Sequence, residues 1–234
     1  MAEPSNSGRT VIVTGAHRGI GRELCRILVR RGDRVLVAAR TLSDAQQLAQ
    51  QLSPDESRAK AIALDVTDSA SISAAADAIR TNGWAVDVLV NNAGIDYDRD
   101  QQAATADLAR VRRILETNLL GAWAVTKAIL PLLDAGAAIV MVTSEQASMQ
   151  LMSDGTPAYR VSKAALNALT RVFAAELRER QIDVRAVSPG WTETDMGGPG
   201  GRPVTEGARS VLAAIDASKG TTDTYTQDDH ALPW

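Results

Sequence analysis

The feature that most constrains this chain is a rhythm: short, apolar, β-branched runs alternate with amphipathic helical stretches, and the first crossing between them is rich in glycine. Residues 9–14 (Arg-Thr-Val-Ile-Val-Thr) read as a strand that is apolar through its centre, as a strand buried on both faces should be. The run breaks at Gly15-Ala16-His17-Arg18-Gly19-Ile20-Gly21 and turns helical through Leu24, Ile27, Leu28 and Arg31, stopping at Gly32. The strand pattern returns at 34–39, 60–64, 86–91, 138–143 and 182–188, with a seventh strand expected over 222–227. Helices are expected at 43–52 with Ser43 as N-cap, at 70–80 behind Asp68, in a long helix holding Asn118, and around Tyr159. Residues 96–105 are polar and read as a surface excursion.

Strands and helices in this order predict an α/β fold: a single doubly wound parallel sheet of the Rossmann type, flanked by helices, with ligands at the C-terminal strand ends. At 234 residues the chain fits one domain, residues 1–234, with 1–8 flexible. A net charge of -3 with interspersed signs argues against a nucleic-acid or anionic-membrane partner, and no apolar run reaches membrane-spanning length. The N-terminus has no apolar core of a secretory signal, so a cytoplasmic protein is expected. Cys25 is the single cysteine and falls in a helical pattern, which suits a buried packing residue. His17 and His230 are too few and too scattered for a metal site.

Strand, glycine turn, helix is the setting in which a turn binds a dinucleotide. Glycines let the backbone approach the pyrophosphate, and the new helix N-terminus offers it free amides and a positive dipole. An acidic residue at the end of the second strand would grip the ribose hydroxyls of NAD, but this chain has Ala39 followed by Arg40. With Arg18 in the glycine turn, two guanidinium groups converge where a 2′-phosphate would sit, which favours NADP(H). Farther along, Tyr159 and Lys163 stand four apart on one helix face. A phenol beside an ammonium is a tunable acid. Such a pair is weak evidence alone, since most would be solvated helix surface. Its company upstream gives it weight.

The turn Thr14 to Gly21 has the spacing Thr-Gly-x-x-x-Gly-x-Gly; Asn91-Asn92-Ala93-Gly94 ends the fourth strand; Asn118, Ser144, Tyr159, Lys163 and Pro189-Gly190 follow. In that order they resemble the short-chain dehydrogenase/reductases over nearly the whole chain, and the glycine turn with Arg18, the stretch from Pro189 to Pro199 and the terminal Pro233-Trp234 look most like the carbonyl-reductase branch. The resemblance implies hydride transfer between NADPH and a ketone or aldehyde. Ser144 would hold the carbonyl oxygen, Tyr159 would donate the proton, Lys163 would lower the Tyr pKa and hold the nicotinamide ribose, and Asn118 would anchor a water. It implies cofactor contacts from Gly15, His17, Arg18, Gly19, Ile20, Gly21, Arg40, Asp65, Val66, Asn92, Gly94, Tyr159, Lys163, Pro189, Gly190, Thr192 and Thr194. It further implies a small-molecule carbonyl substrate and a homo-oligomer, dimer or tetramer. Two departures stand out. Ser144 precedes Tyr159 by fifteen residues where the family has about thirteen, so the loop from Glu145 to Pro157 is lengthened. Thr192 stands where an aliphatic residue is usual. Residues 192–205, rich in glycine and proline, are expected to form a mobile substrate lid. The rival readings are an NADP-dependent alcohol dehydrogenase working in the oxidative direction and a non-catalytic NADP-sensing protein; a methyltransferase on a similar fold has no use for Tyr-x-x-x-Lys.

Overall fold

The computed structural model describes residues 8–96 and 101–234. The expected flexibility of the first residues concerns 1–7, outside the described residues, and so does part of the excursion, 97–100. The strands are β1 (Thr10–Thr14), β2 (Arg34–Ala39), β3 (Ala59–Ala63), β4 (Val86–Asn91), β5 (Leu133–Val142), β6 (Asp183–Val187), β7 (Thr224–Gln227) and β8 (His230–Ala231). They form one sheet in the order β3-β2-β1-β4-β5-β6-β7-β8. Every pairing is parallel except the last, β7 with β8.

The helices are α1 (Gly19–Arg30), α2 (Leu42–Leu52), α3 (Ser69–Thr81), α4 (Leu108–Leu115), α5 (Ala122–Ile129), α6 (Pro157–Glu176) and α7 (Val204–Asp216). Because side chains alternate across a strand, β1 feeds both faces of the sheet. Ile12 joins the core layer of Ile72, Val125, Leu166 and Phe173, from α3, α5 and α6. Val11 and Val13 join the opposite layer of Leu24, Leu28, Leu48, Val211 and Ile215, from α1, α2 and α7. Cys25 lies in this second layer, fully buried, and burial pushes its thiol far above the ordinary range. From β1 the chain runs outward to β2 and β3, then crosses back to β4 on the other side of β1. The order therefore reverses between β1 and β4, and a crevice opens there at the C-terminal strand ends.

Several boundaries differ from the sequence reading, each for a local reason. Helix α2 is capped by Thr41, whose hydroxyl accepts from the Asp44 N–H at 3.2 Å, and Ser43 lies inside the helix. Asp68 caps α3 as expected, accepting from the Ala70 N–H. Strand β5 begins five residues earlier than expected, at Leu133, which pairs with Val86; the ladder then skips residues 134–137 as an irregularity and resumes with Ala138 opposite Val88. The long helix around Asn118 is three pieces: α4, a π turn at Glu116–Gly121, and α5. Strand β8 had no sequence signal, since its hairpin turns on Asp228 and Asp229, both at positive φ, in place of the usual glycine. No helix among the described residues is long and apolar enough to cross a membrane.

Candidate active site

The crevice between the ends of β1 and β4 opens into a cleft of about 720 Å³. Its floor is built by hydrogen bonds between the glycine turn and the end of β4. The Thr14 hydroxyl accepts from the Asn92 N–H at 2.9 Å and the Ala93 N–H at 3.0 Å. The Asn92 amide donates back to the Thr14 carbonyl at 2.8 Å. Asn91 points the other way and donates to Thr126 Oγ1 at 2.9 Å, stitching β4 to α5. This packing explains the glycines. A Cβ on Gly21 would lie 2.5 Å from Asn92 Nδ2, and one on Gly15 would lie 2.9 Å from Ala93 Cα, at a φ of 61°. Helix α1 starts at Gly19 with Arg18 as N-cap and no side chain capping it, so its first amides face the cleft free of an internal side-chain acceptor.

The structure brings most of the expected cofactor residues to one cleft. Gly15, His17, Arg18, Gly19, Ile20, Gly21, Arg40, Asp65, Val66, Asn92, Gly94, Tyr159, Lys163, Pro189 and Thr194 all line it. Arg40 is exposed at the end of β2, while Ala39 is fully buried. Arg18 reaches across the mouth to Asp195, 3.3 Å away, in an exposed ion pair. His17 sits in the field of Arg18, Asp44, Arg40 and Asp195; partial burial, then the Arg18 charge, lower its pKa. Its Nδ1 is buried with no hydrogen-bond partner among the described residues. Asp65 accepts from the N–H and hydroxyl of Thr67, which holds its carboxylate at the rim. Thr194 packs over the turn, with Cγ2 3.4 Å from where a Gly19 Cβ would be.

Four expected site residues do not line the cleft. Thr192 is buried, and its hydroxyl is shared between the Pro189 and Gly190 carbonyls at 3.2 and 3.0 Å; it braces the Pro189-Gly190 turn from behind. Gly190 has a φ of 69° and packs on Arg202. Asn118 is fully buried. Its Oδ1 accepts from the Ile95 N–H at 2.8 Å, and its Nδ2 donates to the Ile95 carbonyl at 2.9 Å and to Ser162 Oγ at 3.0 Å. The side chain of Asn118 is thus committed to the Ile95 backbone and to Ser162, so a water would need a different atom of this π turn. Ser144 is half-buried just past β5, and its hydroxyl accepts from the Gln146 N–H at 3.2 Å. The lengthened loop after it forms a 3-10 turn at Glu145–Ala147 and runs irregularly to Pro157.

Tyr159 and Lys163 share one face of α6, with Lys163 Nζ 5.8 Å from the Tyr159 ring centre. Lys163 is 4% exposed and donates to the Val142 carbonyl at 2.8 Å. Burial drops its pKa to about 8. A Cβ on Gly94 would touch Lys163 Nζ and Asn118 Oδ1, each at 3.4 Å, so the missing side chain keeps a space open above the ammonium. That space, the uncapped α1 terminus and the unpaired His17 nitrogen together fit an extended dinucleotide. The segment 192–203 is irregular but folded on itself: Thr192 bridges Arg202, Trp191 Nε1 donates to the Gly197 carbonyl at 3.0 Å, and the Gly197 N–H donates to Thr194 Oγ1 at 2.8 Å. Sequence reasoning missed Thr14, Asp195, Ser188 and Tyr225. Thr14 alone carried a signal, as a hydroxyl at the last position of a buried strand.

A reversed strand order with an open glycine turn and a basic rim defines a dinucleotide-binding α/β protein. The chain belongs to the short-chain dehydrogenase family, whose description, short chain dehydrogenase, matches residues 9–202. It is an oxidoreductase enzyme of that family. It is 32% identical over 216 residues to the 3-oxoacyl-(acyl-carrier-protein) reductase FabG of Salmonella typhimurium, a span covering 92% of this chain and 85% of that one. It resembles the NADPH-bound carbonyl reductase from chicken fatty liver, with a TM-score of 0.87 and 31% identity over 97% of this chain and 100% of the other. The carbonyl reductase Sniffer of D. melanogaster is similar at a TM-score of 0.86 and 25% identity, with the same coverage.

Proposed function

We propose that the enzyme reduces a ketone or aldehyde to an alcohol with NADPH as the preferred cofactor. The observation that carries this is the buried Lys163 ammonium beside Tyr159, beneath the space that Gly94 keeps open. When bound, NADPH supplies the hydride. Ser144 donates a hydrogen bond to the carbonyl oxygen and fixes its direction. Tyr159 transfers its proton to that oxygen as negative charge develops. The Lys163 charge stabilises the phenolate left behind, and its remaining hydrogens hold the ribose hydroxyls. Asn118 keeps the Ile95 backbone and the π turn in place beside Lys163. Arg18 and Arg40 hold the 2′-phosphate, as planar guanidinium groups suit. Tyr159→Phe keeps the packing and removes the proton, so turnover with NADPH on a panel of quinones, diketones and aromatic ketones should fall at least ~100-fold. Wild-type rates in that variant would place the proton donor elsewhere.

The segment 192–203 acts in this reading as a lid over the cofactor, since Val204 and Thr205, expected in it, open α7; the packing of Thr194 over Gly19 and the ion pair of Asp195 with Arg18 support it. Saturating NADP should slow amide exchange at Gly197 and Gly198; unchanged exchange rules the lid out. Exposed Trp123, Val161 and Val172 on α5 and α6 support the expected homo-oligomer, which sedimentation would test.

A further inference from the structure

The peptide group that follows Ser144 is gripped at both ends by side chains from the next two strands of the sheet, β6 and β7. Its carbonyl oxygen, on Ser144, accepts a hydrogen bond from the Tyr225 hydroxyl of β7. Its N–H, on Glu145, donates to Ser188 Oγ at 3.0 Å, from the residue just past β6. The same Ser188 oxygen accepts from the Gly190 N–H at 3.0 Å and donates to Gln227 Oε1 at 2.8 Å, at the end of β7. Both gripping residues are buried, Ser188 at 0% and Tyr225 at 2% exposure. Tyr225 is held in turn: its ring packs on Trp234 with centres 5.4 Å apart, and Ala147 and Ala186 lie against it. Burial pushes its phenol up to about 12, so it stays a donor across the working range.

Two side-chain contacts on one peptide plane remove its freedom to rotate about ψ of Ser144 and φ of Glu145. The Ser144 hydroxyl is tied to that plane, because it caps the turn beginning at Glu145 by accepting from the Gln146 N–H. Ser188 adds a second link, since it holds the loop after β5 and the Pro189-Gly190 turn on one oxygen. Misplacing a reacting group by an ångström can cost about 100-fold in rate. A core tyrosine that only filled space would not need to meet this particular carbonyl.

We propose that Tyr225 and Ser188 are positioning residues for Ser144, fixing the peptide plane that aims its hydroxyl and tying that aim to the turn bordering the cofactor cleft. This rests on the reading of Ser144 as the group that holds the substrate carbonyl. The test is a double-mutant cycle with Tyr225→Phe and Ser144→Ala, using NADPH and an ortho-quinone as probe, with NADP dissociation constants and urea midpoints measured for each protein. In the parent, Tyr225→Phe should lower kcat/KM about tenfold and leave NADP affinity within roughly twofold. In the Ser144→Ala background the same change should cost less than roughly twofold, because the group being aimed is gone, while the urea midpoint shifts equally in both backgrounds. The Glu145 amide should exchange faster in Ser188→Ala. Equal losses of kcat/KM in both backgrounds, or none in the parent, would overturn the positioning role alone. Full activity in Ser144→Ala would overturn the catalytic reading of Ser144 and the proposal with it.

Discussion

Asn118 holds Ile95 by both ends of its amide, accepting from the N–H at 2.8 Å and donating to the carbonyl at 2.9 Å. An asparagine inside a helix ordinarily competes with the helix backbone. Here the π turn widens the helix and the amide serves a different strand end. Asn118→Ala leaves the half-buried backbone of Ile95, just past β4, without these partners, so unfolding free energy should fall by about 1–3 kcal/mol and turnover should fall with it. Urea unfolding checks the first; an unchanged midpoint would show that the paired contact contributes nothing net.

Lys163 gives a pH signature. Its pKa is about 8 in the folded protein against an ordinary value of 10.5. Between those values the unfolded chain binds more protons than the folded one, so this group makes stability rise with pH across that window and stay flat below it. The gain by pH 10.5 is on the order of 3 kcal/mol at most. Lys163→Met should lose that slope. Parallel pH dependence in the two proteins would mean that the ammonium is better solvated than its burial suggests.

Arg18 is engaged by Asp195 before any phosphate arrives. Removing the competitor frees the guanidinium, so Asp195→Asn should tighten NADP binding up to about fivefold, the range of an exposed ion pair. Affinity for NAD should stay the same. Arg40→Ala should weaken NADP and spare NAD. Fluorescence titrations with both cofactors decide it; equal changes for the two would show that neither residue reads the 2′-phosphate.

Two glycine-to-alanine changes should separate folding from binding. In Gly21→Ala the new methyl would lie 2.5 Å from Asn92 Nδ2 and 2.7 Å from the Gly15 carbonyl, so it should destabilise by about 1–3 kcal/mol. In Gly94→Ala the nearest atoms are at 3.4 Å, ordinary contact, so the thermal midpoint should hold while NADP affinity drops more than tenfold. A destabilised but tightly binding Gly94→Ala would show that the ribose does not use this space.

The cleft was legible because its residues cluster near strand ends that announce themselves: Gly15 to Gly21 after β1, Asn92 and Gly94 after β4, and Lys163 one helical turn from Tyr159. The parallel order followed from the apolar runs, of which the central ones, β1, β4 and β6, are buried almost throughout. What escaped depended on contacts far apart in sequence. Tyr225 meets Ser144 across 81 residues, and nothing in Thr-Tyr-Thr-Gln marks one residue as facing the loop after β5. Thr192 read as a cofactor contact from its place in the motif, yet packing against Gly207 and Pro189 turned its hydroxyl inward. The cap at Thr41 differed from Ser43 by two residues because both are good caps and only the helix axis, set by α2 packing on β2 and β3, chooses between them.

The placement of Cys25 has a practical consequence. It is the only sulfhydryl in the chain, and it is sealed between α1 and the sheet directly behind the glycine turn. Alkylating reagents can reach it only when α1 lifts, so its modification rate clocks the detachment of the helix whose N-terminus lines the cleft. A cysteine introduced at an exposed position would then take a dye alone under native conditions, and the wild-type background would need no prior thiol removal.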